Sequence, residues 1–174
     1  MTDRPSIIVT GCSSGIGAWC ARALLKDGWR VFATVRQSED LTALENDGIE
    51  ALLMDYTKPD TISKLVDDVF ARTGGRLDAL FNNGAYGQPG AVEDLSTDVL
   101  RQQFEVNFFG WHELTRQVIP IMRRSGHGRI VQCSSVLGLI PYRFRGAYTA
   151  SKFALEGLSL TCAWSFTAAA SMSA

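Results

Sequence analysis

Thr10-Gly11-Cys12-Ser13-Ser14-Gly15-Ile16-Gly17 is the stretch on which the fold of this chain turns. Just before it, Ser6–Thr10 (SIIVT) is a short, nearly continuous apolar run, the pattern of a strand buried on both faces. Just after it, Gly15–Lys26 places Ile16, Cys20, Ala21, Ala23 and Leu24 near one face of a helix, and Asp27-Gly28 supplies a stop. Glycines 11, 15 and 17 let the backbone turn sharply and lie close to a bound group. The amides and positive dipole end of the following helix favour phosphate. Any tight strand-to-helix turn can use glycines in this way. Placement directly after the first apolar strand favours the pyrophosphate of a dinucleotide.

Outward from that turn, short apolar runs alternate with amphipathic stretches. Arg30–Thr34 (RVFAT) reads as a second strand and Ser38–Glu45 as a short helix closed by Asp47-Gly48. Glu50–Met54 is a third strand, followed by a helix over Thr61–Arg72 and a break at Gly74-Gly75. Leu77–Phe81 (LDALF) is strand four. A long helix over Asp98–Arg123 follows, with Pro120 bending or ending its last part. Arg129–Cys133 (RIVQC) is strand five, and Ala147–Leu160 a helix. This alternation predicts an α/β fold, a Rossmann-like doubly wound parallel sheet in three layers, with ligands held at the carboxyl ends of the strands. No repeat, low-complexity linker or domain boundary interrupts residues 1–161.

Composition narrows the partners. The chain has 174 residues, 46% hydrophobic and 20% charged, which suits one domain with a real core. A net charge of −1 and a pI of about 6.1 give no electrostatic footprint for nucleic acid or anionic lipid. The four cysteines are scattered and only two histidines occur. No zinc spacing or disulfide framework is present, so a metal is not expected and the thiols read as buried groups in a reducing compartment. The N-terminus has no basic segment followed by a long apolar one, and no run approaches the ~18 apolar residues of a membrane span. The expectation is a cytoplasmic protein.

The spacing of the glycine turn, TGxxxGxG, differs from the GxGxxG of most dinucleotide folds and resembles the cofactor loop of the short-chain dehydrogenase/reductase family, in its steroid- and retinol-dehydrogenase-like branch. That resemblance implies that Gly11, Ser13, Ser14, Gly15, Ile16 and Gly17 face the cofactor. After strand two, Arg36 has no neighbouring carboxylate. With Ser14 it matches positions that favour the 2′-phosphate of NADP over NAD, or else it is a solvated surface arginine. Asp55 after strand three matches the family's adenine-binding aspartate, or else makes an Asx turn. Asn82-Asn83-Gly84-Ala85 resembles the family's Asn-Asn-Ala-Gly with the last two residues exchanged, beside the nicotinamide ribose.

Tyr148 and Lys152 are four apart on a helix and therefore share a face. A neighbouring ammonium, with the positive charge of an oxidised nicotinamide, favours the phenolate. Tyr148 would then act as general acid in reduction and base in oxidation. YxxxK alone also arises as an exposed surface pair. Ser135 lies just past strand five, thirteen positions before Tyr148, where its hydroxyl can donate to a substrate oxygen. Asn107 sits inside the long helix although asparagine is a mediocre helix former. In the family the matching residue holds a water that links the lysine to solvent. The resemblance thus implies catalytic residues Asn107, Ser135, Tyr148 and Lys152, with Tyr148 and Lys152 also touching the cofactor. The reaction implied is hydride transfer between NADP(H), or NAD(H), and a small secondary alcohol or carbonyl. Leu137, Leu139, Ile140, Pro141, Tyr142 and Phe144 either line an apolar cleft for a hydrophobic substrate or pack a connecting loop. The family also forms homo-oligomers.

The resemblance runs from Ile7 to Thr161. The family continues with LRxEL, strand six, a Pro-Gly turn, a substrate-covering segment and strand seven. Here Cys162–Ala174 reads CAWSFTAAASMSA. Restoring one C ahead of a reverse-translated tail gives LRMELYSSGIHVS. The expectation is a frameshift after Thr161, with residues 162–174 an aberrant tail and strands six and seven missing. Such a chain would have poor stability, doubtful oligomerisation and little or no turnover, or serve as a nucleotide-binding pseudoenzyme. Sequencing the locus tests it.

Overall fold

The computed structural model describes residues 4–171, with side chains through Ala163. Five parallel strands form one sheet in the order β3-β2-β1-β4-β5. They are β1 (Ser6–Val9), β2 (Arg30–Val35), β3 (Glu50–Leu53), β4 (Ala79–Asn82) and β5 (Arg129–Gln132). Ile7 pairs with Val31 on one side and Ala79 on the other, so β1 is central. All four of its residues are buried, which is why its sequence is apolar without alternation. The order reverses between β1 and β4, the place in such a sheet where a crevice opens at the carboxyl ends.

The helices are α1 (Gly15–Lys26), α2 (Leu41–Asn46), α3 (Pro59–Thr73), α4 (Thr97–Phe104), α5 (Gly110–Arg124) and α6 (Gly146–Ser171). The long helix expected over 98–123 is therefore interrupted: residues Glu105–Phe109 form a π turn. Pro120 does not end α5, which continues to Arg124. The helix expected to stop at Leu160 runs to Ser171, through the alanine run at 168–170 that propensity favours. A 3₁₀ turn over Ser38–Asp40 precedes α2. Among the described residues no helix is long and apolar enough to cross a membrane.

The chain divides into two compact units. The first, residues 1–85 and 109–133, holds the whole sheet with α1, α2, α3 and α5. Its core joins Ile7 and Val9 to Val31, Ala33 and Val35, with Ala21 and Leu44 from the helices and Cys12 from the turn. The second, residues 86–108 and 134–174, holds α4, α6 and a 3₁₀ turn, Val136–Gly138. Its interior is unusual in composition: beside Ala147 and Leu155, the buried residues Gln103, Asn107, Ser151 and Lys152 are polar. Burying such groups is costly unless each is bonded.

Candidate active site

In the first unit the glycine turn meets the end of β4 without room to spare. Gly11 has φ +67°, and a β-carbon on it would lie 2.5 Å from the Cα of Gly84. A β-carbon on Gly17 would meet the carbonyl oxygen of Gly11, and Asn83 Nδ2 at 2.6 Å. Only hydrogen fits at these contacts. The order Gly84-Ala85, reversed from the family's, thus puts the residue without a side chain against Gly11. By contrast Gly15, at φ +58°, has nothing within 4 Å of its β-carbon position, and Ser13, Ser14, Gly15 and Ile16 are exposed at the start of α1.

Hydrogen bonds hold the two turns in register. Thr10 Oγ1 accepts from the backbone N–H of Asn83 at 2.8 Å and of Gly84 at 3.2 Å. Asn83 Nδ2 donates to the carbonyls of Thr10 at 3.0 Å and Gly11 at 3.3 Å. Asn82 Nδ2 donates to Thr115 Oγ1 at 3.1 Å. Sequence reading missed two residues here, because neither belongs to a local motif. Tyr56, buried after β3, hydrogen-bonds Thr10 Oγ1 at 2.8 Å and donates to Asn82 Oδ1 at 3.0 Å. Trp111 Nε1 donates to the Gly84 carbonyl at 2.8 Å. Burial raises the Tyr56 phenol far above its ordinary range, so it stays protonated and remains a donor. Burial likewise pushes the Cys12 thiol up to about 12, against a lowering hydrogen bond from Thr34, which makes it an inert packing group.

The remaining first-unit residues take less specific positions. Arg36 is exposed just past β2. Asp55 makes the Asx turn: Oδ1 accepts from Thr57 N at 2.9 Å and Thr57 Oγ1 at 2.8 Å. At the opposite, amino-terminal end of the sheet, Asp78 accepts from Ser6 N at 2.7 Å and Arg76 Nε at 2.9 Å and lies 2.6 Å from His127 Nε2.

The second unit carries Asn107, Ser135, Tyr148 and Lys152 together. Lys152 is buried on α6, its Nζ 5.7 Å from the centroid of the Tyr148 ring. Ser151 Oγ donates to the Tyr148 carbonyl at 2.7 Å and lies 3.4 Å from Asn107 Nδ2, so a line of polar contacts joins the π turn to the first turn of α6. Asn107 Nδ2 also donates to the Tyr86 carbonyl at 2.7 Å, and its Oδ1 accepts from Tyr86 N at 3.1 Å. A buried asparagine in a helix is therefore explained: its amide is bound to a neighbouring loop. Ser135 caps the 3₁₀ turn, its Oγ accepting from Leu137 N at 3.1 Å, which leaves the hydroxyl proton to donate elsewhere. That turn packs on α6, where a β-carbon on Gly138 would stand 3.4 Å from the Lys152 carbonyl.

The loop beyond Ser135 exposes its apolar side chains. Leu139, Ile140, Tyr142 and Phe144 all stand out from the surface. Phe144 is the single non-glycine among the described residues with a positive φ, +58°, and its carbonyl accepts from Gly90 N at 3.0 Å.

Residues 5–168 match the family described as short chain dehydrogenase. The uncharacterized oxidoreductase YbbO of Escherichia coli (strain K12) is 42% identical over 156 residues, 90% of this chain and 58% of its own length. Retinol dehydrogenase 8 of Bos taurus is 36% identical over 168 residues, 90% of this chain and 53% of its own. A solved metagenomic short-chain oxidoreductase in complex with NADP superposes with a TM-score of 0.87 at 34% identity, covering 94% of this chain and 76% of that one. The chain spans rather more than half the length of these curated relatives. With a parallel sheet in the order 3-2-1-4-5, a turn in which Gly11 and Gly84 meet, and a family match across nearly all of its length, the chain belongs to the short-chain dehydrogenase family.

Proposed function

We propose that this oxidoreductase moves hydride between NADP(H) and a secondary alcohol or carbonyl compound, with Tyr148 transferring the proton. The observation that carries the reading is the buried Lys152 Nζ 5.7 Å from the Tyr148 ring centroid, in a chain whose first strand feeds a glycine turn.

The turn fits a dinucleotide. Open space stands over Gly15, and the exposed backbone of Ser13–Ile16 begins a helix whose amides suit a pyrophosphate. Asn83 and Gly84 would hold the nicotinamide ribose, with Asn82 buried beneath them as their support. Asp55, its Oδ1 taken by Thr57, would meet the adenine through Oδ2, and Arg36 with Ser14 a 2′-phosphate. Arg36 supports NADP over NAD because a guanidinium pairs with a phosphate fork. The bound nicotinamide supplies or accepts the hydride. Everything else falls to side chains. Ser135 donates its hydroxyl proton to the substrate oxygen and stabilises charge growing there. Tyr148 gives its phenolic proton to that oxygen in reduction and takes it back in oxidation. The Lys152 ammonium favours the phenolate that results. Asn107 and Ser151 fix the first turn of α6 on which Tyr148 stands. The exposed apolar loop after Ser135 supports a hydrophobic substrate.

Fluorescence titration with NADPH, beside a panel of lipophilic ketones and secondary alcohols, tests the reading. Binding with turnover that Tyr148→Phe abolishes is the expected result. Binding with no turnover on any substrate would favour a nucleotide-binding pseudoenzyme, and absence of binding would overturn both.

A further inference from the structure

Gln103 and Asn107 stand four residues apart, one at the end of α4 and one in the π turn, and both are fully buried. Each spends its carboxamide on the same short loop. Gln103 Oε1 accepts from Gln88 N at 2.8 Å and its Nε2 donates to the Tyr86 carbonyl at 2.8 Å. Asn107 shares the Tyr86 carbonyl and also accepts from the Tyr86 N–H. A carboxamide offers an acceptor and two donors on one planar group whatever the pH, which suits two such backbone edges. Between these anchored residues lies Gly87. A β-carbon there would stand 3.3 Å from Cδ2, 3.6 Å from Cγ and 3.8 Å from Cε2 of Tyr148. The loop backbone is thus laid along one side of that ring.

We propose that Gln103 is a positioning residue for Tyr148: paired with Asn107, it clasps the Tyr86–Gln88 backbone so that Gly87 braces the ring and sets the direction of its hydroxyl. The proposal rests on the reading of Tyr148 as the proton-transfer group. Tyrosine has only two side-chain torsions. A wall on one side of the ring, together with the buried Lys152 on the same helix face, restricts both. Glycine at position 87 keeps the wall close, and glutamine at 103 keeps it in place.

The clasp can be read without turnover, by NMR on the whole chain. Gly87 α-protons beside an aromatic ring carry a ring-current shift, and the Gln88 amide is protected from exchange by Gln103. In Gln103→Met, which keeps volume and loses both bonds, Gln88 exchange is expected to quicken about fivefold or more, the worth of one buried hydrogen bond. The Gly87 shift should shrink toward its unstructured value, and NADPH affinity should hold within about twofold, since one hydrogen bond lost at the cofactor would cost more. Where substrate turns over, kcat should fall with KM for NADPH unchanged. An intact Gly87 shift, or unaltered Gln88 protection, would overturn the proposal. If Gln103→Met does not fold, Gly87→Ala addresses the same contact from the loop, and unmoved Tyr148 ring resonances in that variant would refute it. Tyr148→Phe separates the two readings: it keeps the ring and its shift while removing the hydroxyl. Unchanged turnover in Tyr148→Phe sinks the proton-transfer role and leaves the brace standing.

Discussion

The Tyr56 hydroxyl donates to Asn82 Oδ1 at 3.0 Å and lies 2.8 Å from Thr10 Oγ1, so one buried phenol ties the segment after β3 to the ends of both β1 and β4. Thr10 in turn accepts from the N–H groups of Asn83 and Gly84. Tyr56→Phe keeps the ring against Trp111 but leaves Asn82 Oδ1 one donor short in a dry site. The expected cost is about 1–3 kcal/mol of unfolding free energy. Urea denaturation of the two proteins measures it. A change below a few tenths would show the hydroxyl to be solvated instead.

Gly11 and Gly84 make a second, steric tie. Gly11→Ala needs a β-carbon 2.5 Å from the Gly84 Cα and an alanine at φ +67°. Overpacking and left-handed backbone together are expected to cost about 2–4 kcal/mol. Gly15→Ala shares the positive φ but meets open space, so it should lose only about 1–2 kcal/mol. Equal thermal shifts for the pair would contradict this ranking.

Acid sensitivity should centre on Asp78. Burial raises its carboxyl, but hydrogen bonds from Ser6 N, Arg76, His127 and the Ser6 hydroxyl outweigh burial and bring it from 3.8 to about 2. A carboxyl lowered on folding stabilises above its unfolded value and loses that contribution as pH falls through the folded one. The Asp78 contribution should therefore be complete above about pH 4 and vanish toward pH 2. His127 moves the opposite way, raised by the Asp78 hydrogen bond and then by the Ser125 carbonyl. Its contribution is present below 6.5 and fades as pH rises past its raised value. It is an exposed ring and strongly screened. Asp78→Asn should flatten the urea midpoint between pH 4 and 2 and erase the weaker step near neutrality, whereas His127→Gln should remove the latter and, by taking away one of the bonds that lower Asp78, only narrow the former.

Cofactor choice is expected to follow Arg36. Arg36→Glu should weaken NADPH binding about tenfold or more, the worth of a charge-assisted contact to phosphate. NADH binding should be unchanged or improve. Parallel fluorescence titrations decide it, and equal losses for both nucleotides would remove Arg36 from the 2′-phosphate role.

Much of this was legible in the chain itself, for local reasons. SIIVT and RIVQC declare strands because neighbours cover both sides of the one and one side of the other, and the glycine turn declares itself by following the first of them. Helical spacing put Tyr148 and Lys152 on one face, and Ser135 and Asn107 supplied the context that set them apart from an exposed surface pair. What escaped depends on contacts distant in sequence. Nothing near Tyr56 hints that its hydroxyl reaches Asn82, 26 positions on, and Gln103 looks like an ordinary surface glutamine of an amphipathic helix until Tyr86 and Gln88 are seen against it. The π turn at Glu105–Phe109 was invisible for another reason: EVNFF satisfies a helical pattern, and the extra residue per turn appears only when Asn107 is drawn inward to the Tyr86 backbone.

Phe144 holds this chain in a conformation that glycine would adopt more cheaply. Its left-handed backbone costs roughly 1–2 kcal/mol that glycine would avoid, although glycine gives back about half of that as chain entropy in the unfolded state. A saturation library at this position, sorted once by melting temperature and once by turnover of lipophilic substrates, should rank glycine high in the first sort and aromatics high in the second. Position 144 is then a place where glycine firms the scaffold and a β-branched residue strains it further.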